Sequence, residues 1–416
     1  MFDRDQWKEI YATLANNKLR TSLTAFGVSW GIIMLIVMLG AGSGLKNGVT
    51  SEFDGFAMNS LYVWTQNVSI PYKGLPAGRW FNLRNGDTEA IIANIPEIEV
   101  IAPRNEVGGF RGTSSVRRKD KTGDFRIIGD VPEIRELQTL DIDQGRWMNH
   151  LDLNEQRKVA IIGSRVASTL FSPSEEIIGD YITLNGVAFK VVGTFKTKKT
   201  GDEANEDATT VFVPFSTFQK VFNYGDRVSY YGFTPKEGVA TSVIEEKVIA
   251  LLKERHSIHP DDRFAFGSNN NEEGFKEVSQ VFSGINFISW LVGVATLLAG
   301  VIGVSNIMLV IIKERTKEIG IRRAIGASPF QIVKQIMLEA LILTSVAGYI
   351  GVILGVLLVE SVGPLIQDEA FKNPEIDFSV ALLAVIVLSI SGCFAGLIPA
   401  IRALEIKPVE ALRTDG

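Results

Sequence analysis

The residues of this 416-residue chain that could do chemistry are few and scattered. His256 and His259 stand with Asp261 and Asp262 in the run HSIHPDD. That set could ligate a metal, but Pro260 reads more simply as the turn that ends a polar helix. The acidic run Gly201-Asp202-Glu203-Ala204-Asn205-Glu206-Asp207 lacks the ligand spacing of a calcium loop and reads as a solvated hairpin tip. The dipeptide Gly-Lys does not occur, so there is no GxxxxGK[ST] phosphate loop. No Ser, His and Asp are arranged for nucleophilic catalysis. The single cysteine, Cys393, lies in an apolar segment, which excludes an intramolecular disulfide and a cysteine-built zinc site. A net charge of −5 gives no basic footprint for nucleic acid. The expectation is a non-enzyme that binds no metal or cofactor directly.

One dense group of charges remains, in KERTKEIGIRRAIGA, Lys313 to Ala327, where seven of the first eleven residues are charged. It lies between two of the most apolar segments of the chain. A Lys, Arg or Asp at mid-bilayer costs roughly 2.5–3.5 kcal/mol, so this island belongs at a membrane surface. Lys313, Arg315, Lys317, Arg322 and Arg323 outnumber Glu314 and Glu318, which puts that surface on the cytoplasmic side. Alternation of charge with Ile319, Ile321 and Ile325 fits a short amphipathic helix that Gly326 can stop. Ser328-Pro329-Phe330-Gln331 then offers an N-cap, a proline at the first helical position and a capping-box glutamine. The pattern predicts a helix, a break and a fresh helix, a rigid elbow offered to the cytoplasm.

The elements that must position the elbow are apolar. No charge occurs from Thr21 to Leu45, from Ser279 to Ile312, from Ala340 to Val359 or from Phe378 to Ile401. About 20 apolar residues span a bilayer core, so each is read as a transmembrane helix. A cleaved signal peptide is the rival reading of the first, since Ala41 to Gly44 are small; the run is too long and its leader atypical. Before it, Trp7, Ile10, Tyr11 and Leu14 recur at helical spacing among charges, as in a helix lying in the interface. No ionisable residue lies near the middle of a span, which removes the usual means of using an ion gradient. Glu339 and Glu360 mark the ends of the third. Gly27/Gly31, Gly351/Gly355 and Gly392/Gly396 are GxxxG pairs, a spacing that lets helices approach closely within the chain or against a second copy.

Between the first two spans the chain changes character, with frequent charge, turns and short strands. Leu61 to Trp64, Val159 to Gly163 and Val211 to Pro214 read as strands, and Tyr181 to Val192 as a hairpin turning at Asn185-Gly186. Asp87 can cap a helix that Pro96 ends, Ser164 to Leu170 is a second, and Val239 to Leu252 a long amphipathic one. Gly267-Ser268-Asn269-Asn270-Asn271 reads as the linker leading out. The expected fold is an α-helical membrane protein of four transmembrane helices with a large α+β extracytoplasmic domain inserted between helices 1 and 2. Its parts are an interfacial helix (1–20), span one (21–45), the α+β domain (46–278), span two (279–312) and the elbow (313–334). Span three (335–360), an outer loop (361–377), span four (378–401) and a cytoplasmic tail (402–416) complete it. Both termini are expected inside.

These features resemble the MacB/FtsX-like family of ABC transporter permeases, the macrolide-exporter type. Lys313–Ala327 is similar to that family's most characteristic stretch, and Trp7 through Asn17-Lys18-Leu19-Arg20-Thr21-Ser22-Leu23-Thr24 to its leading segment. Gly145-Arg146-Trp147, Val159–Gly163, Leu170-Phe171 and Val211–Pro214 resemble its periplasmic core. Pro399-Ala400-Ile401-Arg402-Ala403 with Lys407–Arg413 resembles its closing signature. The resemblance implies coupling to an ATPase through Arg315, Glu318, Ile319, Gly320, Ile321, Arg322, Arg323, Ala324, Ile325, Gly326 and Ala327. It implies a second permease copy, as a homodimer or a related heterodimer, and a cytoplasmic ABC ATPase that binds the ATP. A periplasmic adaptor, an outer-membrane channel and membrane lipid complete the implied partners. In this class ATP-driven closure moves the outer domains, a scheme called mechanotransmission, and the location is the bacterial inner membrane. Macrolide exporters carry their ATPase on the same chain; here a separate one is expected, and the resemblance does not settle whether the drug substrate carries over. An FtsX-like regulator of a cell-wall hydrolase, a lipoprotein-releasing permease and a receptor without an ATPase are the alternatives.

Overall fold

The computed structural model describes residues 18–51, 56–108, 112–197, 199, 201–366, 371–374 and 378–406. The expected interfacial helix falls almost wholly outside them, as do Lys407–Arg413 and part of the expected outer loop. The helices are α1 (Lys18–Thr50), α2 (Asn85–Asn94), α3 (Ile134–Leu137), α4 (His150–Asn154), α5 (Ser164–Leu170) and α6 (Gly201–Ala208). After them come α7 (Phe215–Val221), α8 (Thr241–Arg255), α9 (Asn271–Glu314), α10 (Thr316–Ala324), α11 (Pro329–Val362) and α12 (Phe378–Leu404). The strands are β1 (Leu61–Thr65), β2 (Leu83–Arg84), β3 (Ile98–Glu106), β4 (Ser114–Arg118), β5 (Lys121–Asp130), β6 (Leu140–Gly145) and β7 (Val159–Gly163). They continue with β8 (Tyr181–Leu184), β9 (Val187–Thr197), β10 (Thr210–Pro214), β11 (Arg227–Val228), β12 (Tyr230–Pro235) and β13 (Phe266–Asn270). The chain forms two compact units, Thr50–Ser279 and Met1–Val49 with Gln280–Gly416.

In the first unit, an 11-stranded sheet runs β10-β7-β9-β8-β4-β5-β3-β12-β1-β13, with β6 beside β9. A further pairing of β10 with β5 closes its first six strands on themselves. Alternation along the strands serves two cores. Ile127, Ile162 and Val211 enter one, and their chain neighbours Ile128, Ile161 and Phe212 enter the other, as a side-chain period of two requires. The β8–β9 hairpin turns at Asn185 and Gly186, with φ of 47° and 77°, the left-handed pair that a two-residue type I′ turn needs.

Three sequence readings in this unit are corrected. Gly201–Asp207 is not a hairpin tip but most of α6, whose first turn carries Asp202 and Glu203, where acidic groups suit the helix dipole. Its Asp207 is buried and pairs with Lys199 at 3.2 Å. Gly267–Asn271 is not a linker: through Asn270 it belongs to β13, paired with β1 and pinned by buried Phe266. Asp87 stands at the third position of α2, accepting from the Arg84 N–H at 2.8 Å, rather than before the helix.

Among the described residues, four helices are long and apolar enough to cross a membrane, lying in Thr21–Thr50, Asn271–Glu314, Pro329–Val362 and Leu382–Leu404. In the second unit the first and third run in register. The Ser29 hydroxyl donates to the Ala347 carbonyl, and a Cβ at Gly351 or Gly355 would lie 2.7 Å from the Ser29 oxygen or 3.0 Å from Ile36. Gly396 meets Ala340 in the same way. Two of the three GxxxG pairs are thus seams inside the chain, where only a missing side chain lets backbones come this close. The 44 residues of α9 extend about 66 Å at 1.5 Å per residue, roughly twice a hydrocarbon core.

Candidate functional site: the elbow between two apolar helices

The elbow is built by local rules. After α9 ends at Glu314, α10 covers nine residues and closes with Gly326 at φ 106°, where the Gly326 and Ala327 N–H groups donate back to the Arg323 and Arg322 carbonyls. A left-handed glycine after a helix ends it without a Cβ clash. The next helix then starts on a capping box: the Ser328 N–H donates to Gln331 Oε1 at 2.9 Å and the Gln331 N–H to Ser328 Oγ at 3.4 Å, with Pro329 at the first position.

The charged side chains of the elbow are largely paired within the chain. Arg315, Glu318 and Arg322, spaced three and four apart, point toward α11 and form a closed circuit with it. Arg315 grips both oxygens of Glu318, Nε at 2.8 Å and Nη2 at 3.0 Å, and sends Nη1 to Glu339 at 3.1 Å. Arg322 donates to Glu318 at 2.8 Å and to Gln335 at 3.1 Å. Gln335 in turn donates to Glu339 at 3.4 Å. A water-sized void of about 20 Å³ lies among these side chains and Ile311, Ile319 and Ile332. The hydrogen bonds from Arg315 to Glu318, with Glu339 beside them, raise the guanidinium pKa still further, so Arg315 is a permanent cation. Arg323 turns another way and donates to the Leu404 carbonyl at 2.8 Å and to that of Ile406, capping α12.

Beside the circuit, several apolar side chains of the elbow are open. Ile325 is 83% exposed, Phe330 73% and Ile321 40%, with exposed Ala324 and Lys317 among them. Ile319 and Gly320 are buried, Ile319 beside Ile332 and Ile336 of α11. Of the eleven residues singled out in the sequence, the structure groups Arg315, Glu318 and Arg322 in the circuit and uses Arg323 as a cap. Ile321, Ala324 and Ile325 face outward, and Gly326 and Ala327 form the break. Phe330, Gln335 and Glu339 were missed as members of the site. Glu339 had a readable signal, a carboxylate beside a charge-free run, but read as a boundary residue it is in fact 2% exposed and paired. The HSIHPDD run gathers no metal-ligand cluster among the described residues. Asp262 is fully buried and accepts from Ser69, Ile70 and Phe264, and His256 donates to Asp87 at 2.8 Å.

Comparison with known proteins gives two family matches. Residues 21–251 match the MacB-like periplasmic core domain, and residues 290–408 match the FtsX-like permease C-terminal domain. Pyoverdine export ATP-binding/permease protein PvdT of Pseudomonas putida is 30% identical over 400 residues, covering 96% of this chain and 58% of that protein. Macrolide export ATP-binding/permease protein MacB of Chlorobaculum tepidum is 28% identical over 412 residues, covering 98% and 61%. The chain thus spans about three-fifths of the length of these curated relatives. The crystal structure of the periplasmic region of MacB from Actinobacillus actinomycetemcomitans aligns with a TM-score of 0.43 at 16% identity, over 54% of this chain and 94% of that one.

Proposed function

We propose a role for this chain on one premise: it belongs to the MacB/FtsX-like family of ABC transporter permeases. In that role it is a non-catalytic membrane subunit of an export complex in the bacterial cytoplasmic membrane. Both termini and the elbow face the cytoplasm, and the α/β unit lies outside. A cytoplasmic ABC ATPase docks on the elbow, and its ATP-driven closure passes through the spans to the outer unit. A second permease copy completes the membrane part. The cargo is a small molecule, as the names of the pyoverdine and macrolide relatives suggest, and an adaptor and outer-membrane channel receive it.

The observation that carries this reading is that the elbow pairs its arginines within the chain and leaves apolar side chains exposed. Charged residues at a membrane surface would ordinarily be the docking groups, yet Arg315, Arg322 and Arg323 are committed inside the chain. The elbow also offers a partner exposed apolar side chains, Ile321, Ile325 and Phe330, here called the knob, beside exposed Lys313 and Lys317, and exposed apolar residues near one another in sequence suit a protein contact. The row Phe287, Leu291, Val294, Leu298 and Ile302 on α9, exposed at intervals of three and four residues, suits lipid or the second copy.

Purification of the tagged chain from native membranes in mild detergent tests the reading. A stoichiometric ABC ATPase is expected in the sample. Its absence even after cross-linking would sink the proposal, and a cell-wall hydrolase in place of an adaptor would replace export by regulation.

A further inference from the structure

Glu339 lies ten residues into α11, about three turns or 15 Å from the start of that helix, and is 2% exposed. A carboxylate at such a depth loses its hydration, and well-packed apolar side chains would fill the same space at no such cost. What the charged arrangement supplies is geometry. Five side chains close one circuit, Glu339–Arg315–Glu318–Arg322–Gln335 and back, three from the elbow and two from one face of α11. Each arginine spans two acceptors and Glu339 is held at both of its neighbours, so the elbow cannot slide or turn along α11 without breaking charge-assisted bonds. The circuit has no part in the exposed knob, which is formed by other residues of the elbow and by Phe330.

We propose that Glu339 is a positioning residue that makes elbow and third apolar helix move together, so that a push received at Ile321 and Ile325 is delivered to α11 rather than absorbed by rotation of α10. The proposal rests on the docking role proposed above and deepens it. It separates two properties of one site: the knob sets how tightly the ATPase binds, and the circuit sets how much of its motion is passed on.

The test uses the full chain in lipid nanodiscs with the ATPase that co-purifies with it. Glu339→Gln keeps size and removes charge, and Gln335→Leu opens the circuit on its other side without stranding a charge. The affinity of the ATPase for the chain and its stimulation by the chain are both measured. Expected is an unchanged affinity with stimulation reduced about tenfold in Glu339→Gln and less in Gln335→Leu. Stimulation unchanged in Glu339→Gln overturns the positioning role and leaves the docking role standing. Affinity and stimulation falling together overturns it as well, since the circuit would then only support the knob. Should Glu339→Gln fail to reach the membrane, unchanged stimulation in Gln335→Leu is the overturning result. Absence of any ATPase with the unsubstituted chain overturns the docking role, and the positioning role with it.

Discussion

The two ends of α9 are fastened by different chemistry. At its start, the Asn271 N–H donates to the Ser60 carbonyl at 3.0 Å and its side chain to the Ser60 hydroxyl at 2.7 Å. Glu272 accepts from the N–H and hydroxyl of Thr241 at 2.8 and 2.6 Å. Ser60, Thr241 and Asn271 are short side chains at the beginning of β1, α8 and α9, with little freedom to rearrange; Glu272, which also pairs with Lys276, is the one long group among them. At its end, the helix runs into a circuit of long charged side chains around a water-sized void. Short groups with few rotamers make a fixed joint. Long forked ions make a joint that is specific yet able to break and remake its bonds, since each partner carries its own charge to the next geometry. Under the proposed role, the first joint would hold α9 and the second would receive motion from the ATPase.

The strongest way to break the contrast is Gly320→Pro. A proline inside α10 costs about 3 kcal/mol or more, so the elbow should lose its helix and the ATPase its dock, while hydrogen exchange at Asn271 to Glu273 stays slow. Faster exchange at both ends would show that they are not separate joints. Next is the paired change Ile325→Asp with Phe330→Asp. Both residues are exposed, so folding should be little affected, and affinity for the ATPase should fall about 30-fold or more, the loss of a hot spot. Arg322→Glu with Arg323→Glu should look different. It reverses charge within the circuit and uncaps α12, so it should lower the thermal stability of the chain in detergent rather than remove a contact. A variant that melts like the parent yet loses the ATPase would return these arginines to the docking face.

Smaller effects belong to the fixed joint. Thr241→Val removes one donor to Glu272 and should cost about 1–2 kcal/mol, read as faster exchange at the start of α9 with ATPase affinity unchanged. The far end of α8 gives a pH handle. Burial alone would push the Asp87 carboxyl up, but hydrogen bonds from His256, from Arg255 and from the Arg84 N–H hold it below the ordinary value of 3.8. A depressed carboxylate contributes stability that is full above that value and is lost as pH falls through the folded pKa. Acid titration from pH 5 downward, about the range where such groups protonate, should therefore loosen α8 and be blunted in Asp87→Asn.

Much of this was legible in the sequence because its causes are local. The four apolar runs, the Asn185-Gly186 hairpin, the Gly326 break and the Ser328-Pro329-Gln331 cap are each set by neighbouring residues. What escaped was decided at long range. Gly267 to Asn270 has poor strand propensity and becomes β13 because β1 offers it a partner. Glu339 and Arg315 are 24 positions apart, and nothing in either neighbourhood announces that one caps the other. The elbow's charges are visible in the sequence but their partners are not: Arg315, Arg322 and Arg323 bond within the chain, Ile319 is buried, and Ile321 and Ile325 are exposed.

The central claim of the proposal is that a cytoplasmic ABC ATPase meets this chain at the exposed apolar residues of the elbow. A photo-reactive side chain placed at position 325 in native membranes, with position 323 as the control, tests it directly. The account predicts an adduct with an ABC ATPase from 325 and none from 323. An ATPase adduct from 323 alone, or no ATPase adduct from 325, would contradict it.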